Sequence, residues 1–183
     1  MDKARATHLS KFLSLVLRHE PAAANVTLDA EGWVDTNALV LGAARAGVRM
    51  TQAELKEIVE TSDKRRFALS EDGLRIRANQ GHSVSVDLGL APSVPPDILF
   101  HGTVEAFVAS IMSTGLEKRA RQHVHLSADI ATAKKVGGRR GLPIVLRVDA
   151  LAMVNAGYTF YVSENGVWLT DAVPPEFLSR NSP

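Results

Sequence analysis

Arginine and histidine stand side by side at the end of a segment with an apolar stripe. Arg18 and His19 follow the run from Leu9 to Leu17 and precede Pro21. A planar guanidinium beside an imidazole that titrates near neutral pH is suited to gripping a phosphate. A basic side chain at a helix C-terminus is also favoured by the helix dipole, by about 0.3–1 kcal/mol, so a purely structural role stays open.

A second group of basic and polar residues lies around a predicted β-hairpin. Arg66 opens the first strand of this hairpin, and the residues Gln80-Gly81-His82-Ser83 follow its second strand. Arg66 is either an anion ligand or a charged residue that protects an edge strand from aggregation. The polar segment 80–83 is a weak functional signal by itself, and a turn is its simpler interpretation.

The motif His101-Gly102-Thr103 stands where a strand is expected to give way to a helix. Glycine lets a ligand approach the backbone, and Thr103 is predicted to cap the helix. Unpaired amides at a helix N-terminus favour a phosphate or pyrophosphate. The alternative is that Thr103 is only a cap and His101 only a polar residue.

The segment 121–127 alternates polar and apolar residues, so His123 and His125 share one face of a predicted strand. Two histidines do not make a metal site, because protein metal sites need three or four ligands. The chain has no Cys and no HExxH motif, and we therefore expect no metal. The segment 137–141 is basic and rich in glycine, but it is neither a Rossmann fingerprint nor a Walker A loop.

Charge is concentrated locally although the net charge is only +1. The basic residues of one stretch, opposed only by Asp129, are Lys118, Arg119, Arg121, Lys134, Lys135, Arg139, Arg140 and Arg147. A smaller cluster comprises Lys64, Arg65 and Arg66. Two such concentrations in a nearly neutral protein suggest two anion sites, with a solvated charged face as the alternative.

The first half of the chain reads as three helices and a hairpin. Apolar spacing and capping signals predict three helices: one through 9–17, one from Asp35 or Thr36 to Ala46, and one that starts at the capping box Thr51–Glu54 and ends near Thr61. Short strands are predicted at 26–28, 33–34, 66–69 and 74–77, and the last two form the hairpin. This order resembles a winged-helix module, a variant of the helix-turn-helix that binds nucleic acid.

A proline-rich segment, 91–96, separates the two halves. The second half mixes both element types, which predicts an α/β or α+β lobe. Strands are expected at 98–101, 123–126, 143–148, 158–162 and 166–170, and helices at 104–114, 129–136 and 149–155. Asn165-Gly166 is the strongest hairpin-turn signal in the chain.

Length and composition describe a globular protein of one domain or two small lobes. The chain has 183 residues, 45% of them hydrophobic, and no Cys. The missing Cys excludes a disulfide framework, a thiolate-bound zinc or iron–sulfur centre and a thiol nucleophile. We see no signal-peptide pattern and no apolar run of about 18 residues, so a cytoplasmic protein is expected.

Seven motifs, in this order, resemble one family. They read LSKFLSLVLRHEP, LDAEGWV, DKRRFALSEDGLRIRANQGHS, PPDILFHGT, RQHVHLS, VGGRRGLPIVLRVDA and GYTFYVSENGVWLT. Over residues 5–178 the chain resembles the NAD-dependent RNA 2′-phosphotransferases of the KptA type. The resemblance implies an α+β protein with a winged-helix RNA-binding lobe over 1–90, a linker over 91–97 and an ADP-ribosyltransferase-like α/β lobe, which binds NAD, over 98–183.

The resemblance also implies a reaction in two steps. An internal RNA 2′-phosphate attacks C1″ of the nicotinamide ribose and expels nicotinamide, which gives an ADP-ribosylated RNA 2′-phosphate. The ribose 2″-OH then attacks that phosphate and releases 2′-OH RNA and ADP-ribose 1″,2″-cyclic phosphate. The implied partners are NAD as co-substrate and RNA with an internal 2′-phosphate, with no membrane and no metal, and the protein is expected to be a monomer.

The family's catalytic set falls on Arg18, His19, Arg66 and Arg121. Arg66 is preferred to Arg65 because of the Arg-Phe pair, and Arg121 to Arg119 because it stands two residues before His123. The expected NAD-binding residues are His101, Gly102, Thr103, His125, Leu126, Ser127, Gly137, Asn165 and Gly166.

One departure from related transferases bears on the acceptor. Many ADP-ribosyltransferases that modify proteins carry a catalytic Glu late in the fold, and Glu164 lacks the surroundings of that motif. This favours a phosphate acceptor over a protein side chain. The alternatives are an ADP-ribosyltransferase that acts on terminal phosphates of RNA or DNA and a non-enzymatic winged-helix binder.

Overall fold

A computed structural model describes residues 1–62 and 64–181. The chain divides into two compact units, Met1–Gly89 and Leu90–Pro183. Both contain helices and small sheets, so the α+β class is confirmed. The winged-helix and ADP-ribosyltransferase-like identities of the two units stay predictions.

Three helices and one antiparallel sheet make up the first unit. The helices are α1 (Lys3–Arg18), α2 (Thr36–Arg45) and α3 (Gln52–Thr61), and a 3₁₀ turn spans Pro21–Ala24. The strands are β1 (Val34–Asp35), β2 (Phe67–Leu69) and β3 (Arg75–Ala78), in the order β1-β3-β2. Their shared core is built largely on the apolar stripe of α1, where Leu9, Leu13, Val16 and Leu17 are fully buried.

The capping signals in the sequence fix two of these helices. Asp35 accepts the backbone N–H of Ala38 at 2.8 Å and is the N-cap of α2. The capping box of α3 is confirmed, since Thr51 and Glu54 bond reciprocally through side chain and backbone. The predicted hairpin is confirmed as β2 and β3.

The strand predicted at 26–28 is wrong. Asn25 adopts a left-handed conformation (φ 50°) at the end of the 3₁₀ turn, and the chain from Val26 onward joins no ladder. Val26 and Leu28 are apolar because they pack against the core of the first unit. Their alternation therefore reflects burial of two side chains without strand pairing.

The second unit holds eight short strands and three helices among its described residues. The strands are β4 (Ile98–Val104), β5 (Leu116–Glu117), β6 (Val124–Leu126), β7 (Pro143–Asp149), β8 (Tyr161–Val162), β9 (Trp168–Thr170), β10 (Ala172–Val173) and β11 (Leu178–Arg180). The helices are α4 (Glu105–Thr114), α5 (Ile130–Gly137) and α6 (Ala150–Asn155), with 3₁₀ turns at Gly138–Arg140 and Pro175–Phe177.

The strands form sheets of order β11-β7-β4, β6-β9-β8 and β10-β5. All described strand pairs of this unit are antiparallel, so it is α+β and not α/β. An antiparallel bridge between Phe100 and Ser127 joins the end of β6 to β4, with N–H to O distances of 2.9 and 2.8 Å. This bridge brings His101 of β4 beside His125 of β6.

The proline-rich segment packs on the second unit. The Ser93 N–H donates to the Phe160 carbonyl at 2.8 Å, and Pro92 forms an isolated bridge with Tyr161. Phe160 was expected to lie within a strand over 158–162, but the observed strand β8 begins at Tyr161. Among the described residues, no helix has the length and apolar character needed to cross a membrane.

Strand β4 and helix α5 approach each other through two glycines. A Cβ added at Gly102 would lie 1.8 Å from the Ala133 carbonyl oxygen, and one added at Gly137 would lie 2.8 Å from the backbone N and O of Thr103. Gly102 is therefore needed for packing, and its expected role toward NAD stays a prediction. Thr103 is also not the predicted helix cap: β4 continues through it, Thr103 is buried, and the N-cap of α4 is Val104, without a side-chain cap.

We predict that Gly102→Ala destabilises the protein by at least about 2 kcal/mol, since the new methyl group collides with backbone that cannot yield cheaply. Gly138→Ala is the matched control. Gly138 has helical φ and ψ (−61°, −7°), and its nearest atom would be a proline carbon at 3.9 Å. Urea unfolding of both variants checks the prediction, and equal midpoints for the two variants would contradict it.

Candidate active site

The end of α1 holds Arg18 and His19 through the segment that follows the hairpin. The Arg18 carbonyl has no partner within its helix and accepts the backbone N–H groups of Ser83 at 2.8 Å and Val84 at 3.3 Å. His19 is the C-cap, and its own N–H donates to Leu15. The Ser83 hydroxyl lies 2.9 Å from His19 Nδ1 and orients the ring. One segment therefore fixes both the helix end and the imidazole.

Arg66 reaches the same helix from the start of β2. Its Nη1 donates to the hydroxyl of Ser10 at 3.3 Å, and its carbonyl accepts a long bond from Arg18 Nη2 at 3.4 Å. The Arg18 guanidinium lies 5.9 Å from the centre of the Phe67 ring. The structure thus brings Arg18, His19 and Arg66 together from two separate segments, as the family resemblance implied.

Arg65 has a different placement from Arg66. Arg65 has a left-handed backbone conformation (φ 38°) and is exposed to solvent. Arg66 is half-buried and contacts α1. Arg66 therefore belongs to the cluster at the end of α1.

His82 is a buried neutral histidine beside these cations, and the sequence analysis treated it as part of a turn. Only 1% of its surface is exposed, and neither ring nitrogen has a hydrogen-bond partner among the described residues. Burial, together with the charges of Arg18, His19 and Arg77, lowers the pKa of His82 to about 4. Its neighbour Ser83 was also missed as the group that orients His19. The only signal for both was a polar, glycine-containing segment after a strand.

The second unit gathers His101, Arg121 and His125. His101 Nδ1 lies 3.3 Å from the His125 carbonyl oxygen, and Arg121 Nη1 lies 3.4 Å from His125 Nδ1. Burial lowers the pKa of His101, and the Arg121 charge acts in the same direction. Partial desolvation lowers the pKa of Arg121, and repulsion from Arg140 and Arg139 adds to it. Arg121 stays charged at any working pH, so it and the neighbouring Arg139 and Arg140 repel one another.

The other residues predicted to bind NAD divide into three kinds. Gly102 and Gly137 serve the packing of β4 on α5, and the side chains of Thr103 and Leu126 are buried. Ser127 is half-buried and lies beside β4 through its bridge to Phe100. Ser127 therefore lies beside the strand that carries His101.

Asn165 and Gly166 form the turn between β8 and β9, as predicted, in a longer loop than the two-residue form. Gly166 donates to the Ser163 carbonyl at 2.8 Å and has a left-handed φ of 77°, a conformation that favours glycine. The Ser163 hydroxyl donates to Asn165 Oδ1 at 2.6 Å. The Asn165 side chain therefore stabilises its own loop. No role in NAD binding follows from this contact.

The ionisable groups of the site suit anions better than metals. Within residues 1–62 and 64–181, no group of three or more His, Asp or Glu side chains could hold a metal ion. Two guanidiniums and an imidazole in the first unit, and Arg121 with two histidines in the second, are donors that match phosphate and pyrophosphate oxygens.

The comparison with known families agrees with this chemistry. A family model described as "RNA 2'-phosphotransferase, Tpt1 / KptA family" matches residues 4–172. The chain belongs to this family. The family membership predicted from the seven motifs is therefore confirmed.

Curated relatives of this family member match it over nearly their whole length. A protein of Hahella chejuensis is 56% identical, over 98% of this chain and 96% of its own. Proteins of Nostoc punctiforme and Flavobacterium johnsoniae are 52% and 50% identical, over 98% and 100% of this chain and 99% and 100% of their own. Each of the three is named "Probable RNA 2'-phosphotransferase".

We predict that His82 makes stability depend on pH. Its pKa is about 4 in the folded protein and about 6.5 when unfolded, so the unfolded chain takes up the proton first as the pH falls. The free energy of unfolding should drop between about pH 6.5 and pH 4, with up to about 3 kcal/mol from His82 alone. Urea unfolding of wild type and His82→Asn across this range measures the difference. Parallel pH curves for the two proteins would disprove a neutral buried His82.

Proposed function

We propose that this protein removes an internal 2′-phosphate from RNA by transferring it to NAD, in the two steps described above. The observation that carries the proposal is the cluster of Arg18, His19 and Arg66, which backbone and hydroxyl contacts hold together in a member of the Tpt1 / KptA family. The proposed products are 2′-OH RNA, ADP-ribose 1″,2″-cyclic phosphate and nicotinamide.

The two guanidiniums of the first unit are proposed to bind the RNA phosphate. Both steps move negative charge on that phosphate, and preorganised guanidiniums aimed at such charge contribute about 2–4 kcal/mol each when desolvated. Arg18 and Arg66 are half-buried and tied to backbone or to Ser10, so little reorganisation is needed when the phosphate arrives. This charge neutralisation is what Mg²⁺ supplies in other phosphoryl-transfer enzymes, and we propose that no metal is required.

His19 is proposed to act in the second step. The 2″-OH must lose a proton and the RNA 2′-oxygen must gain one, and an imidazole can both accept and donate a proton. The first step needs no base, because a phosphate dianion is already a competent nucleophile. Ser83 holds the ring through Nδ1, so His19 meets the phosphate in one orientation.

The second unit is proposed to bind NAD through its pyrophosphate. Arg121, His101, His125 and Ser127 offer one guanidinium, two imidazoles and a hydroxyl within one cluster, with Arg139 and Arg140 close enough to act on Arg121. This donor set fits a dianionic pyrophosphate. When bound, NAD supplies the electrophilic ribose carbon, and the residues of this unit orient it.

The decisive experiment is product analysis with a short RNA that carries one internal 2′-phosphate. We predict NAD-dependent release of nicotinamide, 2′-OH RNA and the cyclic phosphate, identified by mass, with EDTA present throughout. The same assay with 5′-phosphorylated RNA and DNA that lack a 2′-phosphate is the control. An ADP-ribose left on a terminal phosphate, with no cyclic product from the first substrate, would establish the terminal-phosphate ADP-ribosyltransferase instead.

We predict that the two units contribute differently to the two steps. Arg18→Ala, His19→Ala and Arg66→Ala should leave some nicotinamide release but accumulate RNA carrying 2′-phospho-ADP-ribose, because the second step needs more stabilisation of the phosphate. Arg121→Ala should impair both steps and accumulate less. The intermediate is measured as an RNA of shifted mobility on a gel, and added wild-type enzyme should convert it to 2′-OH RNA. Equal loss of nicotinamide release and product in all four variants, with no intermediate, would refute this division of roles.

A further inference from the structure

One face of the sheet in the first unit combines an aromatic ring with two arginines. Trp33 immediately precedes β1, and Arg75 and Arg77 lie on the neighbouring strand β3. The guanidinium carbon of Arg77 lies 4.6 Å from the centre of the Trp33 ring, and that of Arg75 lies 5.5 Å from it. Both distances are within cation–π range. We call Trp33, Arg75 and Arg77 the tryptophan face.

Strand alternation separates this face from the core. Ile76 and Ala78 alternate with the two arginines along β3 and are fully buried. Val34, which pairs with Ile76, and Phe67, which pairs with Ala78, are buried as well. The opposite side of β3 therefore faces away from the core. Arg75 is exposed, and Trp33 and Arg77 are half-buried.

The carboxylates near the tryptophan face are used to build it. Asp29 Oδ1 accepts the N–H groups of Glu31 and Trp33, at 3.0 and 2.8 Å, and so shapes the turn that presents the ring. Its other oxygen is 3.7 Å from Arg75, a loose and half-exposed ion pair of small energetic value. Asp35, opposite Arg75 in the ladder, is the N-cap of α2. A phosphate can therefore compete for Arg75.

The turn that carries Trp33 packs on the segment that fixes the active-site residues of α1. Gly32, which has a left-handed φ of 83°, is so close to His82 that an added Cβ would lie 3.5 Å from Nε2. The Asp87 N–H donates to the Ala30 carbonyl at 2.7 Å. His82 directly precedes Ser83, the residue that orients His19. Arg77 lies close enough to His82 to help lower its pKa. The tryptophan face therefore adjoins the Arg18–His19 pair through His82.

We propose that the tryptophan face binds the single-stranded RNA that flanks the 2′-phosphate, with a base stacked on Trp33 or an arginine plane and with phosphates contacting the arginines. The inference rests on the proposed function, which places the 2′-phosphate at Arg18 and His19. Aromatic and guanidinium planes beside cationic groups are the elements by which proteins bind single strands without reading their sequence. Duplex RNA keeps its base faces stacked and does not offer them to such a surface.

Substrates of two lengths test the proposal. A dinucleotide and an eight-nucleotide strand carry the same internal 2′-phosphate, and kcat/KM is measured for both. Trp33→Ala should lower kcat/KM about tenfold for the long strand and less than twofold for the dinucleotide. Trp33→Phe should keep most of the activity on the long strand. Arg45→Ala, at an exposed arginine on α2, is a surface control and should change neither value.

A binding experiment separates this inference from the proposed reaction. The chain has two tryptophans, so Trp168→Phe leaves Trp33 as the only one. Unmodified single-stranded RNA should quench its fluorescence, and Arg75→Ala should reduce the slope of log K against log salt by about 0.7. Quenching without phosphotransfer on any substrate would refute the reaction and support the face. Phosphotransfer with no quenching, or equal losses on both substrates in Trp33→Ala, would overturn the face alone.

Discussion

The carbonyl oxygen of Arg18 needs hydrogen-bond donors that its own helix cannot supply, and the backbone of Ser83 and Val84 supplies them. Because of this requirement, the chain must return to the end of α1 after completing the hairpin. The return places the Ser83 hydroxyl on His19 and buries His82 behind the pair. The hairpin in turn delivers Arg66 to α1. An ordinary need of a helix terminus thus organises the first unit's cationic cluster.

The second unit depends on a close approach between a strand and a helix. Gly102 and Gly137 let the backbones of β4 and α5 meet at distances that a side chain would prevent. His101 precedes this contact on β4, and the basic turn with Arg139 and Arg140 follows it after α5. Desolvation lowers the pKa of Arg121, and repulsion from these two arginines adds to this effect. Packing of small residues thus brings positive charges close together.

Local signals could be predicted from the sequence, and tertiary compensations could not. The capping box at Thr51, the hairpin of β2 and β3 and the apolar stripe of α1 follow from short-range chemistry. Thr103 carries a capping residue's side chain, but pairing with β7 extends β4 through it, so the ladder overrides the cap. The importance of His82 was hidden because its environment comes from α1 and the Trp33 turn, neither of which its neighbours in sequence reveal.

The neutrality of His82 resolves an electrostatic conflict in the first unit. Arg18 and Arg66 carry positive charge, and the buried position behind them still has to be filled. A carboxylate there would pair with Arg18 and weaken its attraction for phosphate, whereas a second fixed cation would add repulsion that burial makes costly. Histidine fills the space and, with its pKa lowered to about 4, carries no charge at neutral pH. The cost is a buried ring with two nitrogens that lack hydrogen bonds among the described residues. That cost falls on the stability of the first unit, and in the function proposed above the positive charge of the cluster is used to bind RNA.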